Sequence, residues 1–294
     1  MKKFVRLALE LQRGAWAISP EALEIFGPLA YKIVTGTNDV SEMDSPKSCL
    51  SFFDGRGNRL RADEDGYTEI PEGSIAVVEM IGPLVKYGDW CTYGADDLVL
   101  ALEMADNHPN VIGTILRVDG PGGSVSAVGP FVEFGKRKQK PIVALYDMAC
   151  SAHLWTMLAV ADHIMAENNI SSLIGSIGVV LHWVDNRKYL ESIGYEFHEV
   201  YPEESKHKNE AARLAMEGKY DLIKKEMLSP MAIQFQEFVK SKRPNLNTKE
   251  TGVLTGKTFG ADKALELGFI DTIGSFRDAR QMVEILTELK KVNN

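Results

Sequence analysis

Positive charge is in short supply in this chain. Its 33 lysines and arginines face 41 aspartates and glutamates, a net charge of −8. A surface of that sign repels phosphate backbones and excludes nucleic acid as the main partner. Cysteine is scarcer still. The three, Cys49, Cys91 and Cys150, are odd in number, widely spaced and without a Cys-x-x-Cys pair. That excludes a zinc ribbon and a disulfide framework and points to a reducing compartment. Nowhere does the chain approach the roughly 18 uncharged apolar residues that a membrane span needs. Met1-Lys2-Lys3-Phe4 opens like a signal peptide, but Arg6, Glu10 and Arg13 interrupt any apolar core behind it. Nucleotide-binding glycine loops, internal repeats and low-complexity tracts are missing as well. These absences describe an acidic, cytoplasmic protein with no transmembrane anchor, and nothing in the sequence asks for a cofactor or a metal.

What is present is ordinary globular material. With 45% hydrophobic and 25% charged residues among 294, the chain has enough apolar side chains for one large core or two modest ones. Phe4, Leu7, Ala8 and Leu11 fall at helical spacing. Ser19-Pro20-Glu21 then supplies a cap, a first-turn proline and an acid for a second helix reaching about Val34. Residues 36–73 are rich in Gly, Asp, Ser, Glu and Pro and read as a linker or mobile arm, with a weak hairpin near 50–53. The expected division is a helical arm and linker over residues 1–73 and a compact domain over residues 74–294.

Within that domain, apolar runs at 75–81, 111–118 and 141–146 are short and bounded enough for buried strands. Helical patterns at 96–106 and from about 125 to 138 separate them. Such alternation predicts an α/β fold of parallel strands joined by right-handed crossover helices. Short strands are expected at 161–166, 175–180 and 196–201, charged helices over 209–242, and a small helix at 261–267.

Ser151 stands after the strand of 141–146, where strand turns into an apolar helix, between Ala149, Cys150 and Ala152. A serine there caps the helix, or it is a nucleophile whose oxyanion is met by the unpaired N–H groups of the helix start. Gly120-Pro121-Gly122-Gly123 follows another buried strand. It is either a plain turn or a loop whose Gly122 and Gly123 N–H groups, with that of Ala152, form an oxyanion hole. A serine nucleophile also needs a base. His153, two residues on along the same helix, is expected to point away. His163 and His182 lie in strand contexts. Lys206 and Lys208, in the polar run Glu204-Ser205-Lys206-His207-Lys208-Asn209, would serve only if burial held one of them neutral.

Taken together, these segments resemble the signal peptide peptidase A family of serine peptidases. The likeness is carried by Gly120-Pro121-Gly122-Gly123, Met148-Ala149-Cys150-Ser151-Ala152, Gly175-Ser176-Ile177-Gly178-Val179, Ser205-Lys206-His207-Lys208 and the closing Ala264-Leu265-Glu266-Leu267-Gly268-Phe269-Ile270-Asp271. The resemblance implies a Clp/crotonase-like fold and a Ser–Lys dyad: Ser151 as nucleophile, Lys208 as general base, Ser176 orienting the lysine, and Gly122 and Ala152 at the oxyanion hole. It also implies a homo-oligomeric ring in which the dyad is completed across subunits. Gly120, Ser205 and His153-Leu154 depart from the family's usual Ser, Gly and Gly/Ala-Tyr. Residues 15–23 look like the start of the bacteriophage or prophage branch, whose members process scaffold or capsid proteins. Two other readings share much of this pattern: a host peptidase that degrades peptides, and a crotonase-fold acyl-CoA enzyme or binding module that needs neither Ser151 nor Lys208.

Overall fold

The computed structural model describes residues 15–18, 48–61, 69–88, 92–183 and 185–293. The chain runs through β1 (Ala15–Ile18), β2 (Leu50–Phe53), β3 (Ser74–Ile81), α1 (Ala95–Asn107), β4 (Val111–Gly120), β5 (Gly122–Ser124) and α2 (Val128–Arg137). It continues with β6 (Ile142–Cys150), α3 (Ala152–Val160), β7 (His163–Ala166), β8 (Leu173–Gly175), β9 (Val180–Leu181), α4 (Arg187–Ser192), α5 (Glu210–Met216) and α6 (Ser229–Lys242). β10 (Thr258–Gly260), α7 (Ala261–Leu267), β11 (Thr272–Ile273) and α8 (Phe276–Asn293) complete it.

The apolar runs become strands because both of their faces are covered. Ala76, Val78, Met80, Leu116, Ala144 and Tyr146 point into the core cluster shared with α1, α2 and α3. Their alternates Ile75, Val77, Ile115, Val143 and Leu145 point the other way, against Ala279 and Val283 of α8. A strand buried on both sides needs apolar residues at every position, which is why these segments read as continuous runs. β3, β4 and β6 pair in parallel, as the alternation of strand and helix predicts. The main sheet runs β10–β8–β6–β4–β3–β2.

β6 is the element that sets up the site. One edge pairs with β4 throughout; the other pairs with β7 from Val143 to Tyr146 and with β8 from Met148 to Cys150. The sheet therefore forks at Asp147, and β8 brings Gly175 level with Cys150. All nine residues of α3 are buried, the expected state of a helix that is apolar all round. Trp155 of α3 stacks flat on Phe235 of α6, with ring centroids 4.3 Å apart, fixing the later helices to the one that follows Ser151.

Some expectations meet a different structure. The hairpin near Leu50–Phe53 is present, with Phe53 bridged to Arg59 and the Leu60 N–H on the Phe52 carbonyl at 2.8 Å, but Leu50–Phe53 also pairs antiparallel with β3 as the edge strand of the main sheet. Residues 196–201 form no strand, and residues 191–200 are all exposed, so the chain there gains neither ladder hydrogen bonds nor a buried face. In the segment 175–180 only the ends are extended. The helices expected near residues 4–11 and 19–34 lie outside the described residues. Among the described residues, no helix is long and apolar enough to cross a membrane.

Candidate active site

Ser151 is held at φ 56°, ψ −116°, a left-handed conformation that costs a non-glycine residue about 1–3 kcal/mol. Its surroundings enforce it. The Ser151 N–H donates to the Gly175 carbonyl at 2.9 Å, and its carbonyl accepts the Trp155 N–H at 3.0 Å. The residue is 1% exposed, and its hydroxyl makes no capping hydrogen bond. The capping role is therefore not what this serine does. A strained, uncapped serine on a sharp strand-to-helix turn is the geometry of a nucleophile elbow. Ala152, as the first residue of α3, has an N–H with no partner inside the helix.

Ser176 repeats the pattern at the end of β8, with φ 56° and its N–H on the Lys257 carbonyl at 2.8 Å. Because Cys150 and Gly175 are paired, Ser151 and Ser176 follow adjacent parallel strands and are neighbours. The glycine turn follows β4, which pairs with the other edge of β6 through Gly120 and Ala149. Three adjacent strands thus deliver their carboxyl ends to one place, where ligands bind in open α/β sheets.

The glycine turn has a defined hydrogen-bond polarity. The Gly122 N–H donates to His153 Nδ1 at 3.0 Å, and the Gly122 carbonyl accepts the Leu84 N–H at 2.9 Å. The Ser124 N–H donates to the Leu84 carbonyl at 2.8 Å. Successive residues of a strand face opposite edges. The N–H and C=O of Gly123 are therefore left facing away from Leu84, toward β1. Of the two glycine N–H groups, that of Gly122 is occupied by the histidine and that of Gly123 faces the cleft.

His153 is the residue that sequence reasoning set aside. It sits at 0% exposure, with its pKa pushed down to about 3 by burial. Since Nδ1 accepts a hydrogen bond, the neutral ring carries its proton on Nε2, which has no partner. In that tautomer neither nitrogen is available to take a proton from Ser151. His153 also explains a second oddity of the sequence. A Cβ on residue 120 would lie 2.2 Å from His153 Nε2, so the glycine before Pro121 and the histidine after Ala152 go together. Behind this turn lies a cavity of about 200 Å³, bordered by His153, Leu84, Met80 and Thr92.

The other candidate bases are elsewhere. His163 opens β7, level with Val143 near the start of β6, where it hydrogen-bonds Thr272 Oγ1 at 2.8 Å. His182 is exposed beyond β9. Lys206 is in an exposed ion pair with Glu203 at 2.6 Å. Lys208 is exposed in the turn before α5, with its N–H on the Ser205 carbonyl at 2.9 Å. Among the described residues no hydrogen bond joins its ammonium to Ser151 or Ser176. The structure thus brings Ser151, Ser176, Gly123 and Ala152 together and leaves Lys208 apart. Among the described residues no cluster of His, Cys, Asp and Glu could hold a metal ion.

A family model described as peptidase family S49 matches residues 135–290, more than half of the chain. The chain belongs to peptidase family S49. Protease 4 of Haemophilus influenzae is 27% identical to it over 272 residues, 87% of this chain and 43% of that protein. The Head-tail preconnector protein GP5 of Enterobacteria phage P21 is 33% identical over 137 residues, 43% of this chain and 26% of its own length. The S49 chain therefore spans less than half the length of either relative. Among solved structures, the membrane-bound stomatin-specific protease 1510-N is similar with TM-score 0.46 and 16% identity, over 72% of this chain and 79% of that one. An enoyl-CoA hydratase/isomerase family member is similar with TM-score 0.40 and 16% identity, over 75% and 74%.

Proposed function

We propose that this S49 chain is a serine endopeptidase with Ser151 as nucleophile and Lys208 as general base. The observation that carries the reading is Ser151 itself: left-handed, buried and uncapped, beside a helix N-terminus and a glycine turn with an N–H aimed into the cleft. Ser151 Oγ attacks the scissile carbonyl as its proton passes to the neutral Lys208 amine. The Gly123 and Ala152 N–H groups receive the oxyanion, the job Gly122 was expected to share before its N–H was found on His153. Collapse breaks the C–N bond, and the lysine returns its proton to the departing amine. Water then hydrolyses the acyl-enzyme by the same path in reverse. Ser176, next to Ser151, orients the amine.

A lysine acts as a base only when neutral, and neutrality requires a dry site. Lys208 in the single chain is exposed. The polypeptide just before it carries Tyr189, Ile193, Tyr195 and Val200 at 55–92% exposure, an unusual amount of apolar surface for a solitary subunit. A second copy of the chain is the occupant that answers both facts. We infer a ring-shaped homo-oligomer in which Lys208 of one subunit serves Ser151 of the next. For the substrate, the likeness to a phage head-tail preconnector protein favours a scaffold or capsid polypeptide in a bacterial cytoplasm over a general peptide-degrading role.

The test is casein hydrolysis by the purified oligomer. Ser151→Ala should lose several orders of magnitude in rate, as removal of a nucleophile does, with an unchanged circular dichroism spectrum. Hydrolysis at the wild-type rate would end the peptidase reading.

A further inference from the structure

The strand β1 lies along β5, the strand that carries the Gly123 N–H. It is the middle strand of a small sheet ordered β5–β1–β9. On one side Trp16, Ala17 and Ile18 stand opposite Ser124, Gly123 and Gly122, antiparallel. On the other, Ala15 and Trp16 stand opposite Leu181 and Val180. An extended segment zipped into a sheet by main-chain hydrogen bonds on both edges is the general way an enzyme holds a peptide of unrelated sequence. Here the chain holds its own residues 15–18 in that way.

The register names a single peptide bond. Leu84 and His153 take the Gly122 N–H, the Gly122 carbonyl and the Ser124 N–H. Within β5 that leaves Gly123 as the residue whose N–H and C=O both face β1, so Ala17 opposite it is the hydrogen-bonded partner. The Ala17 carbonyl oxygen is thereby placed on the Gly123 N–H, the donor assigned above to the oxyanion. Gly122, opposite Ile18, presents no hydrogen-bonding group to β1. Any hydrogen-bonded register would put a carbonyl at that donor; this register makes it the carbonyl of Ala17.

We propose a further activity, self-processing: β1 is the enzyme's own first substrate, hydrolysed between Ala17 and Ile18. The inference rests on Ser151 being the nucleophile. Ser151 Oγ bonds to the Ala17 carbonyl carbon, its proton going to the lysine base. The Ala17–Ile18 C–N bond breaks, and Ile18 leaves as a free amine carrying that proton. A water molecule then cleaves the Ala17 ester, releasing the fragment that ends at Ala17 and restoring Ser151. Departure of the fragment frees the edges of β5 and β9 for the next polypeptide.

The experiment is intact-mass analysis of the full chain during incubation, with casein hydrolysis measured on the same samples. Wild type should accumulate a chain beginning at Ile18, at least about 100-fold faster than Ser151→Ala, which stays whole. Ile18→Pro removes no ladder hydrogen bond to β5 and blocks hydrolysis of the bond before it. With an unchanged melting temperature, it should stay whole and hydrolyse casein several-fold more slowly than wild type, because its strand remains in the slot. Wild type that hydrolyses casein yet keeps residues 1–17, or that is cut only elsewhere, overturns the inference and leaves the peptidase reading standing. Whole Ile18→Pro protein as active as wild type overturns it too. Wild type inactive on both substrates fails the peptidase reading itself.

Discussion

The two halves of the proposed dyad sit in regions of opposite character. Ser151 lies between β6 and α3, in the most deeply buried part of the molecule, with every residue of α3 inside the core. Lys208 follows a stretch in which residues 191–200 are all exposed and no sheet covers the backbone. The first region is finished by its own chain. Strand pairing fixes Ser151 against Gly175, and His153 fixes the glycine turn. The second has the composition of an interface without a partner. Preorganised electrostatics depend on rigid support, and in the proposed enzyme the core supplies the nucleophile and oxyanion donors. In the same proposal the base, which must be dried to function, is left to assembly.

The comparison is sharpened first at the lysines. Lys208→Arg should lower kcat by three or more orders of magnitude, because a guanidinium stays charged and takes no proton. Lys206→Arg should change kcat less than about twofold, since an exposed ion pair contributes little. Steady-state peptide hydrolysis distinguishes them, and an active Lys208→Arg enzyme would move the base to another group.

Next comes the coupling of Gly120 and His153 on the nucleophile side. Gly120→Ser forces a Cβ to within 2.2 Å of His153 Nε2 and should cost about 2 kcal/mol of stability. By shifting the oxyanion loop it should also cost about 100-fold in kcat. Adding His153→Gly should recover only part of the stability, because the Gly82 carbonyl would still lie 2.7 Å away. Urea melts of the four proteins give the coupling energy, expected near 1 kcal/mol. Strict additivity would mean the two positions are unrelated.

The buried histidine also has a pH signature. Its pKa is about 3 in the folded chain against an ordinary 6.5, so between those values the unfolded chain binds a proton that the native state does not. Stability is then flat above pH 6.5 and falls as pH drops below it, by about 2 kcal/mol on reaching pH 5. His153→Gln should lack that slope. His163, also lowered by burial, contributes equally to both proteins and cancels in the comparison. Denaturation midpoints at pH 5 and pH 7 that move in parallel for the two proteins would contradict the buried neutral ring.

The smallest effect isolates the strain at the elbow. Ser151→Gly relieves a left-handed serine and should raise stability by about 1 kcal/mol while activity is lost. A lower melting temperature would mean that the conformation costs nothing.

The site was legible in the sequence where local pattern and tertiary role coincide. The apolar run into Ser151 and the apolar helix after it specify a buried strand–helix junction whatever surrounds them. Gly120 to Gly123 specify a tight backbone. The role of His153 at the glycine turn was missed because helical spacing says only that residues two apart diverge. It does not say that a second loop lies on the far side to receive the ring. The missing Cβ at Gly120 was the available sign. β1 carries no strand signal of its own, since four residues held between two other edges owe their conformation to those edges. Residues 196–201 erred the other way: β-forming composition without a neighbouring strand leaves the segment exposed.

One measurement bears most directly on the division between a finished nucleophile half and a base supplied by assembly. Ser151→Ala and Lys208→Ala proteins, each inactive alone, are mixed, dissociated and allowed to co-assemble, and peptide hydrolysis is followed. If Lys208 of one subunit serves Ser151 of the next, a Lys208→Ala subunit receives an intact lysine from its Ser151→Ala neighbour, and activity returns to a sizeable fraction of the wild-type rate. Mixed oligomers shown by mass spectrometry to contain both variants, yet without activity, would contradict the account and place the whole dyad within one chain.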